Sequence, residues 1–291
     1  WVTMMFGMSS RIPLRWRLGP SNASERDHVK AMLIEKKFPE KTLFCGDAGF
    51  VGYPLWSAIL NKGQNFVVRV GANVELLSEH ADIEACDGGK VLCWPKGQMD
   101  SGEPPLTLWL RKVVVGKTAM WMLTSVRELS ESQIVQYYKM RWGIEVEFRG
   151  LKQTLDKHML RCRNSERLLV ELDWSIFAMA FAELIALKQQ IGNASERVTN
   201  TGYDPKDRSL ANTMRALRKC MRQLHKSPAP ADHLLHWLSR AVVQRYKPRT
   251  NKQARYRPKN PDKKPLGDPN VRPLSIEQLR KLEQMEQKGA D

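Results

Sequence analysis

Four residues capable of phosphate or metal chemistry recur at helical spacing in mid-chain: Tyr138, Arg141, Glu145 and Lys152. On one continuous α-helix their side chains fall within an arc of about 60°. An adjacent arc holds the apolar residues of the same segment, Tyr137, Ile144, Phe148, Leu151 and Leu155. We therefore expect Glu145 at the rim of the core, where a fixed and partly shielded carboxylate suits a metal ligand. The alternative is an ordinary surface ion pair between Arg141 and Glu145, at i and i+4.

A second carboxylate, Asp47, directly follows a short apolar run at residues 42–45 (TLFC) and lies in a glycine-rich turn. The run is typical of a strand buried on both faces. In open α/β sheets, ligands bind just outside the carboxyl ends of the strands, so Asp47 is a second candidate ligand. A turn or helix-capping role is the alternative.

Two glycines interrupt the helix predicted over residues 130–158, which Ser130 opens with a capping signal. Gly143 and Gly150 each cost that helix about 1 kcal/mol relative to alanine. Glycines beside a polar stripe predict close backbone packing or a bound ligand.

The remaining pattern predicts an α/β fold with one sheet and covering helices. A strand hairpin at residues 1–19 precedes a helix capped by Ser24, the buried strand, a short helix at 54–61 and a strand at 65–70. Residues 71–126 are rich in β-type residues, and helices are expected near 207–225 and 232–246. Residues 168–187 are strongly apolar but include Glu171, Asp173 and Glu183, which favours a long buried helix over a membrane span.

The charge balance favours a polyanionic partner, because 47 Lys and Arg residues against 31 Asp and Glu give a net charge of +16 over 291 residues. Such a partner could be DNA, RNA or an anionic membrane surface. Nine of the basic residues and one acidic residue lie between 245 and 265, a proline-broken stretch expected to be extended and to give salt-dependent affinity without sequence preference. The five cysteines form no C-x-x-C, and the spacing of His80, Cys86 and Cys93 fits no standard zinc site.

The run YYKMRWGIEVEFRGLKQTL resembles the Tyr-Arg-Glu-Lys signature of bacterial insertion-sequence transposases of the DDE type, on Tyr138, Arg141, Glu145 and Lys152. The turn at residues 46–50 is similar to the second-aspartate motif of that family, on Asp47. The resemblance covers roughly residues 1–190. It implies a ribonuclease-H-like mixed sheet with flanking helices, interrupted by a β-rich insertion.

The resemblance also implies a chemistry, namely metal-dependent cleavage and strand transfer on DNA. Asp47 and Glu145 would hold Mg²⁺ or Mn²⁺, with two ions in the complete enzyme, and Tyr138, Arg141 and Lys152 would bind DNA. The expected partners are double-stranded DNA, as transposon ends and target, and a second copy of the chain in the DNA complex. No membrane is expected, and the location would be the bacterial cytoplasm, at the nucleoid through DNA.

On this basis we divide the chain into five regions. Residues 1–70 would begin the catalytic domain, 71–126 form the insertion, 127–190 complete the domain with helices, 191–246 form a helical C-terminal region, and 247–291 form a basic, proline-rich tail. The family needs a first aspartate on a strand before the opening hairpin, and none here fits. We expect the chain to be a fragment that binds DNA without cleaving it. The alternatives are a non-catalytic nucleic-acid-binding remnant and a nuclease of the same fold.

Overall fold

The computed structural model describes residues 1–79, 82–160, 162, 164–196, 204, 207–224, 231–242 and 266–288. The chain separates into two compact units, each built from two stretches of sequence. The first unit comprises residues 1–22 and 142–257, and the second comprises residues 23–141 and 258–291. The basic stretch between 245 and 265, and His80 of the zinc alternative, lie outside the described residues.

The second unit is built on a seven-stranded mixed sheet. Its strands are β3 (Leu43–Gly46), β4 (Asn65–Val70), β5 (Glu75–Ser78), β6 (Lys90–Cys93), β7 (Leu106–Val115), β8 (Thr118–Thr124) and β9 (Asn270–Pro273). They lie in the order β3-β4-β8-β7-β6-β5-β9. The pairs β3–β4 and β5–β9 are parallel, and the other neighbours are antiparallel. The predicted mixed α/β sheet with flanking helices is therefore confirmed.

The helices of the second unit are α1 (Glu25–Glu35), α2 (Tyr53–Leu60), the short α3 (Lys96–Asp100), α4 (Glu131–Met140) and α9 (Ile276–Lys288). Two of them begin where the capping signals predict. The Ser24 hydroxyl accepts a hydrogen bond from the Asp27 amide at 3.3 Å, and Ser130 forms a reciprocal capping box with Gln133. Such caps satisfy amides that a helix start otherwise leaves unpaired.

The first unit packs helices against a two-stranded hairpin. Strands β1 (Val2–Gly7) and β2 (Ile12–Leu18) pair antiparallel, and the helices are α5 (Gly143–Arg149), α6 (Ser165–Glu196), α7 (Leu210–Leu224) and α8 (Ala231–Ser239). A π-helical segment, Gly150–Thr154, continues α5. Its core joins the helices to the hairpin through Leu151, Ile176, Met179, Leu210 and Met214, against Val2, Met4, Trp16 and Leu18.

Two predictions about the elements are wrong. The described strands form two sheets, not one, because β1 and β2 pair only with each other. The helix predicted over 130–158 is interrupted: α4 ends at Met140, a turn at residues 141–142 follows, and α5 begins at Gly143, a weak helix former. The prediction that residues 138–152 share one continuous helix, with their polar side chains in a single arc, is therefore wrong.

The structure adds two elements in residues assigned by sequence to the tail. Strand β9 extends the sheet beside β5, and α9 places Leu282 and Met285 against a core of Leu77, Trp94 and Met99. The predicted apolar helix is α6, and the helices expected near 207–225 and 232–246 correspond to α7 and α8. Among the described residues, no helix is both long and apolar enough to cross a membrane.

Candidate active site

Asp47 lies immediately after β3, as predicted, and both of its oxygens have partners. Its Oδ1 accepts a hydrogen bond from the Gly49 amide at 2.9 Å, which closes the turn. Its Oδ2 lies 3.6 Å from Nη1 of Arg141. The Asp47 side chain is 47% exposed, so a ligand can reach this carboxylate from solvent. The turn role and the ligand role are therefore compatible in one residue.

Arg141 connects Asp47 to Tyr138. Its guanidinium carbon lies 5.2 Å from the centroid of the Tyr138 ring, within the range of a cation–π contact. Only 14% of the Arg141 side chain is exposed, so ring and carboxylate fix the direction of the guanidinium. The second unit thus brings three predicted site residues together at the end of β3.

Tyr138 is 5% exposed and belongs to the core, where it packs with Val67, Val113, Met122 and Ile134. The helical wheel placed Tyr137 in the core and Tyr138 on the polar stripe, whereas the structure buries Tyr138 and leaves Tyr137 half-buried. The cause is the turn at 141–142, because α4 follows its own periodicity and buries Ile134 and Tyr138, one helical turn apart. A DNA contact by Tyr138 stays a prediction.

Strand β3, which ends directly before Asp47, lies in apolar surroundings. Burial raises the pKa of the Cys45 thiol, two residues earlier on β3, to about 12, although the positive charge of Arg141 opposes the shift. This thiol is therefore neutral at physiological pH and is a poor metal ligand. At the end of this strand, Asp47 and not Cys45 is the group suited to a cation.

Glu145 and Lys152 belong to the first unit, on α5 and on the π-helical segment that follows it. Glu145 is half-buried, as expected of a residue at the rim of the core, and Lys152 is exposed. The end of the π-helical segment is held by Arg218 of α7, which donates from Nη2 to the Thr154 carbonyl at 2.5 Å. A π-helical turn within a helix is often found at functional sites.

The two glycines mark close packing. A Cβ added at Gly143 would lie 2.5 Å from Cε1 of Phe6 on the hairpin, and one added at Gly150 would lie 2.0 Å from Cδ2 of Leu210 on α7. Of the two readings left open, the structure supports close packing at both positions. These contacts fix α5 and the π-helical segment, and with them the backbone that carries Glu145 and Lys152.

A buried ionic network in the first unit was not predicted. Glu147 on α5 and Glu183 on α6 interact with each other, and Arg208 Nε lies 3.5 Å from Oε1 of Glu183. Arg208 also donates from Nη2 to the Arg11 carbonyl. Desolvation raises the pKa of both carboxyls, and for Glu147 the neighbouring Glu183 raises it further. The pair therefore tends to retain one shared proton.

A signal for this network was present in the apolar run at 168–187, because an acid in such a run needs a partner. The structure supplies one for each. Trp16 donates from Nε1 to Asp173 at 2.7 Å, Lys157 pairs with Glu171, and Arg208 pairs with Glu183. The sequence could not reveal these partners, since each lies at least 14 residues away.

Within the described residues, no group of three His, Cys, Asp or Glu side chains is placed to hold a metal ion. The donor types nevertheless fit a hard divalent cation, since Asp47 and Glu145 are carboxylates that solvent can reach.

Residues 2–181 match the family described as the transposase DDE domain. The chain belongs to this family. The matched range agrees with the extent of the resemblance predicted from the signature residues, and all five predicted site residues lie within it.

Two further similarities were found. A protein of Sinorhizobium fredii named "Putative transposase y4zB" is 27% identical over 152 residues, which are 50% of this chain and 43% of that protein. The present chain thus spans less than half the length of this relative. A cryo-EM structure of the piggyBac transposase synaptic complex with hairpin DNA superposes with a TM-score of 0.42 and 16% identity, over 84% of this chain and 52% of that one. The family assignment rests on the match over residues 2–181.

Proposed function

We propose that this protein is a DNA transposase that acts by metal-dependent cleavage and strand transfer at insertion-sequence ends. The observation that carries the proposal is the cluster of Asp47, Arg141 and Tyr138 at the end of β3, inside the matched transposase domain. A half-exposed carboxylate held beside a fixed guanidinium suits a site that must accept both a cation and a phosphate. The ribonuclease-H-like arrangement of the sheet is part of this proposal.

Each site residue has a role that its surroundings support. Asp47 and Glu145 offer carboxylate oxygens to Mg²⁺ or Mn²⁺, two ions in the complete enzyme, which when bound stabilise the attacking and leaving oxygens of phosphoryl transfer. Arg141 and Lys152 contact phosphates, and the planar guanidinium of Arg141 suits a two-point contact. Tyr138 holds Arg141 in direction through its ring.

The proposed partners are double-stranded DNA, as element ends and target, and a second copy of the chain in the DNA complex. The net charge of +16 supports a polyanionic partner. With DNA as the substrate, the proposed location is the cytoplasm, at the nucleoid.

A metal-mapping experiment tests the ligand assignment. With Fe²⁺ and ascorbate, a bound ion cuts the backbone near its ligands, and we expect cuts near residues 47 and 145 that Mg²⁺ suppresses. Asp47→Asn and Glu145→Gln should each lose the cuts, whereas Asp100→Asn, at an exposed acid elsewhere in the second unit, should keep them. Cuts that persist in both site variants would overturn the assignment.

A DNA-binding titration tests the phosphate contacts. Arg141→Ala and Lys152→Ala should each lower the slope of log affinity against log salt by about 1, equally for all duplex sequences. Lys62→Ala, at an exposed lysine after α2, should leave the slope unchanged. With oligonucleotides that carry element ends, joined products indicate a transposase and cut products alone indicate a nuclease, whereas binding without either is the result expected of a chain in which no first aspartate fits.

A further inference from the structure

One face of α6 exposes a regular apolar stripe. Val170, Trp174, Phe177, Phe181 and Leu184 are each between 48% and 65% exposed, and Ile191 continues the series. With the exposed Lys188 they follow one another at intervals of 4, 3, 4, 3, 4 and 3 residues. The stripe is distinct from the buried face of α6, which carries Leu172, Ile176, Met179 and Ala186. The sequence predicted a long buried helix, and the structure buries only one side of it.

Alternating steps of 3 and 4 are the spacing by which one helix packs along another. An α-helix has 3.6 residues per turn, so a repeat of 3.5 residues drifts by only about 20° per heptad and keeps the stripe on one face of α6. The rings within the stripe are already ordered against one another. Trp174 and Phe177 lie edge to face with centroids 5.7 Å apart, and Phe177 and Phe181 stack at 6.0 Å.

Small side chains and already engaged acids border the stripe. Ala178 and Ala180 flank its centre, and such small side chains allow close approach. The acids nearest its beginning are already engaged inside the unit, since Glu171 pairs with Lys157 and Asp173 accepts from Trp16.

The amount of apolar surface is sufficient for a stable pair. Three half-exposed aromatic rings and three aliphatic side chains present roughly 600 Å² per copy, so a symmetric pair reaches the lower end of stable interfaces, about 1,200 Å² in total. Contiguous apolar patches of several hundred Å² on a protein surface mark interaction sites.

We propose that this stripe is a self-association surface on which α6 pairs antiparallel with α6 of a second copy of the chain. The direction follows from Lys188, because a parallel pair would place the two Lys188 ammonium groups side by side. An antiparallel pair centred near Phe177 and Phe181 instead brings each Lys188 to the Val170–Trp174 turn of the other helix, where an indole ring can receive a cation. The surface stands on the geometry of α6 and requires neither metal nor DNA.

The test measures mass in solution by light scattering, without DNA and at high salt, so that DNA cannot bridge two copies. The full chain should be a dimer at tens of micromolar, and Phe177→Ser/Phe181→Ser should raise the dissociation constant by more than about tenfold. Ile34→Ser/Val114→Ser removes two comparably exposed apolar side chains of the second unit and should leave the dimer intact. Circular dichroism and thermal unfolding confirm that each variant folds.

The antiparallel direction of the proposed α6 pair is tested by Val170→Glu. An antiparallel pair places the new carboxylate near Lys188 of the other copy and should keep the dissociation constant within about threefold, whereas a parallel pair places two glutamates together. A wild-type monomer at all concentrations, or a dimer that survives Phe177→Ser/Phe181→Ser, overturns the proposal. A monomer that binds anionic vesicles through the stripe would instead identify a lipid surface. Loss of dimerisation with normal DNA binding and metal mapping leaves the proposed function standing.

Discussion

Two arginine–carboxylate pairs in this protein have nearly the same separation and very different surroundings. In the second unit, Arg141 lies 3.6 Å from Asp47, and their side chains are 14% and 47% exposed. In the first unit, Arg208 lies 3.5 Å from Glu183, and their side chains are 2% and 3% exposed. Burial, and not distance, therefore distinguishes a pair that can exchange partners from one that cannot.

The physical reason is desolvation. When a half-exposed carboxylate loses its arginine, water or a cation replaces it at little cost. When a buried carboxylate loses its arginine, a charge remains in an apolar interior, or the carboxyl takes up a proton. The exposed pair is thus suited to a site that binds ligands, and the buried pair is suited to fixing α6 against the hairpin and the segment that contains Arg208.

The largest expected effect is at the buried pair. Arg208→Met removes the cation beside Glu147 and Glu183 and should lower the free energy of unfolding by about 3–5 kcal/mol. Urea denaturation followed by circular dichroism measures it. A loss below about 1 kcal/mol would show that burial of the two carboxyls does not depend on the arginine. The buried pair would then contribute no more to stability than the exposed pair.

A smaller loss of unfolding free energy is expected from the packing of the π-helical segment against α7. Gly150→Ala forces a methyl group against Leu210, and overpacking of this kind costs about 1–3 kcal/mol. The matched control is Gly192→Ala in α6, where a Cβ meets nothing within 4 Å, so the better helix propensity should raise stability by up to about 1 kcal/mol. Equal effects at the two glycines would contradict the close contact.

The pH dependence of stability distinguishes the pairs further. Because the folded-state pKa of Glu147 is raised above 4.5, the folded chain holds more protons than the unfolded chain over the range between the two values. The stabilisation of the folded state by proton binding at Glu147 is therefore fully present below pH 4.5 and is lost as pH rises through the folded-state pKa. Glu147→Gln, which cannot ionise, should flatten the fall in unfolding free energy from acidic to alkaline pH. An unchanged slope would mean that the pair does not hold a proton.

The smallest effect is expected at the exposed pair. Asp47→Asn keeps the shape of the turn and breaks only a half-exposed ion pair, so the free energy of unfolding should change by less than about 1 kcal/mol. The same variant should abolish the metal-directed cuts near residue 47. A destabilisation as large as that of Arg208→Met would assign Asp47 a structural role in place of the ligand role.

Local signals in the sequence predicted much of the fold. Ser24 and Ser130 mark helix starts, the run at 42–45 marks a buried strand, and Asp47 was placed correctly at its end. Failures occurred where non-local contacts decide. The helical wheel failed at Tyr138 because the turn at 141–142 divides the helix, and β9 was missed because its partner β5 lies about 200 residues earlier.

The candidate site shows the same difference between local signals, which the sequence reveals, and non-local contacts, which it does not. The residue types and spacing of the signature predicted Asp47, Arg141 and Glu145 as site residues, and the structure places Asp47 beside Arg141, while their roles stay predictions. The network of Glu147, Glu183 and Arg208 was missed, because the sequence shows that a buried acid needs a partner but not which residue supplies it.

The parallel pairing of β9 with β5 has a consequence for synthesis on the ribosome. The backbone of β5 is available early, but its outer edge stays open until residues 270–273 have left the ribosome. An open strand edge is a template for pairing with other chains. A nascent or prematurely terminated chain that stops before residue 270 should therefore aggregate through β5, whose edge is covered by a strand made about 200 residues later.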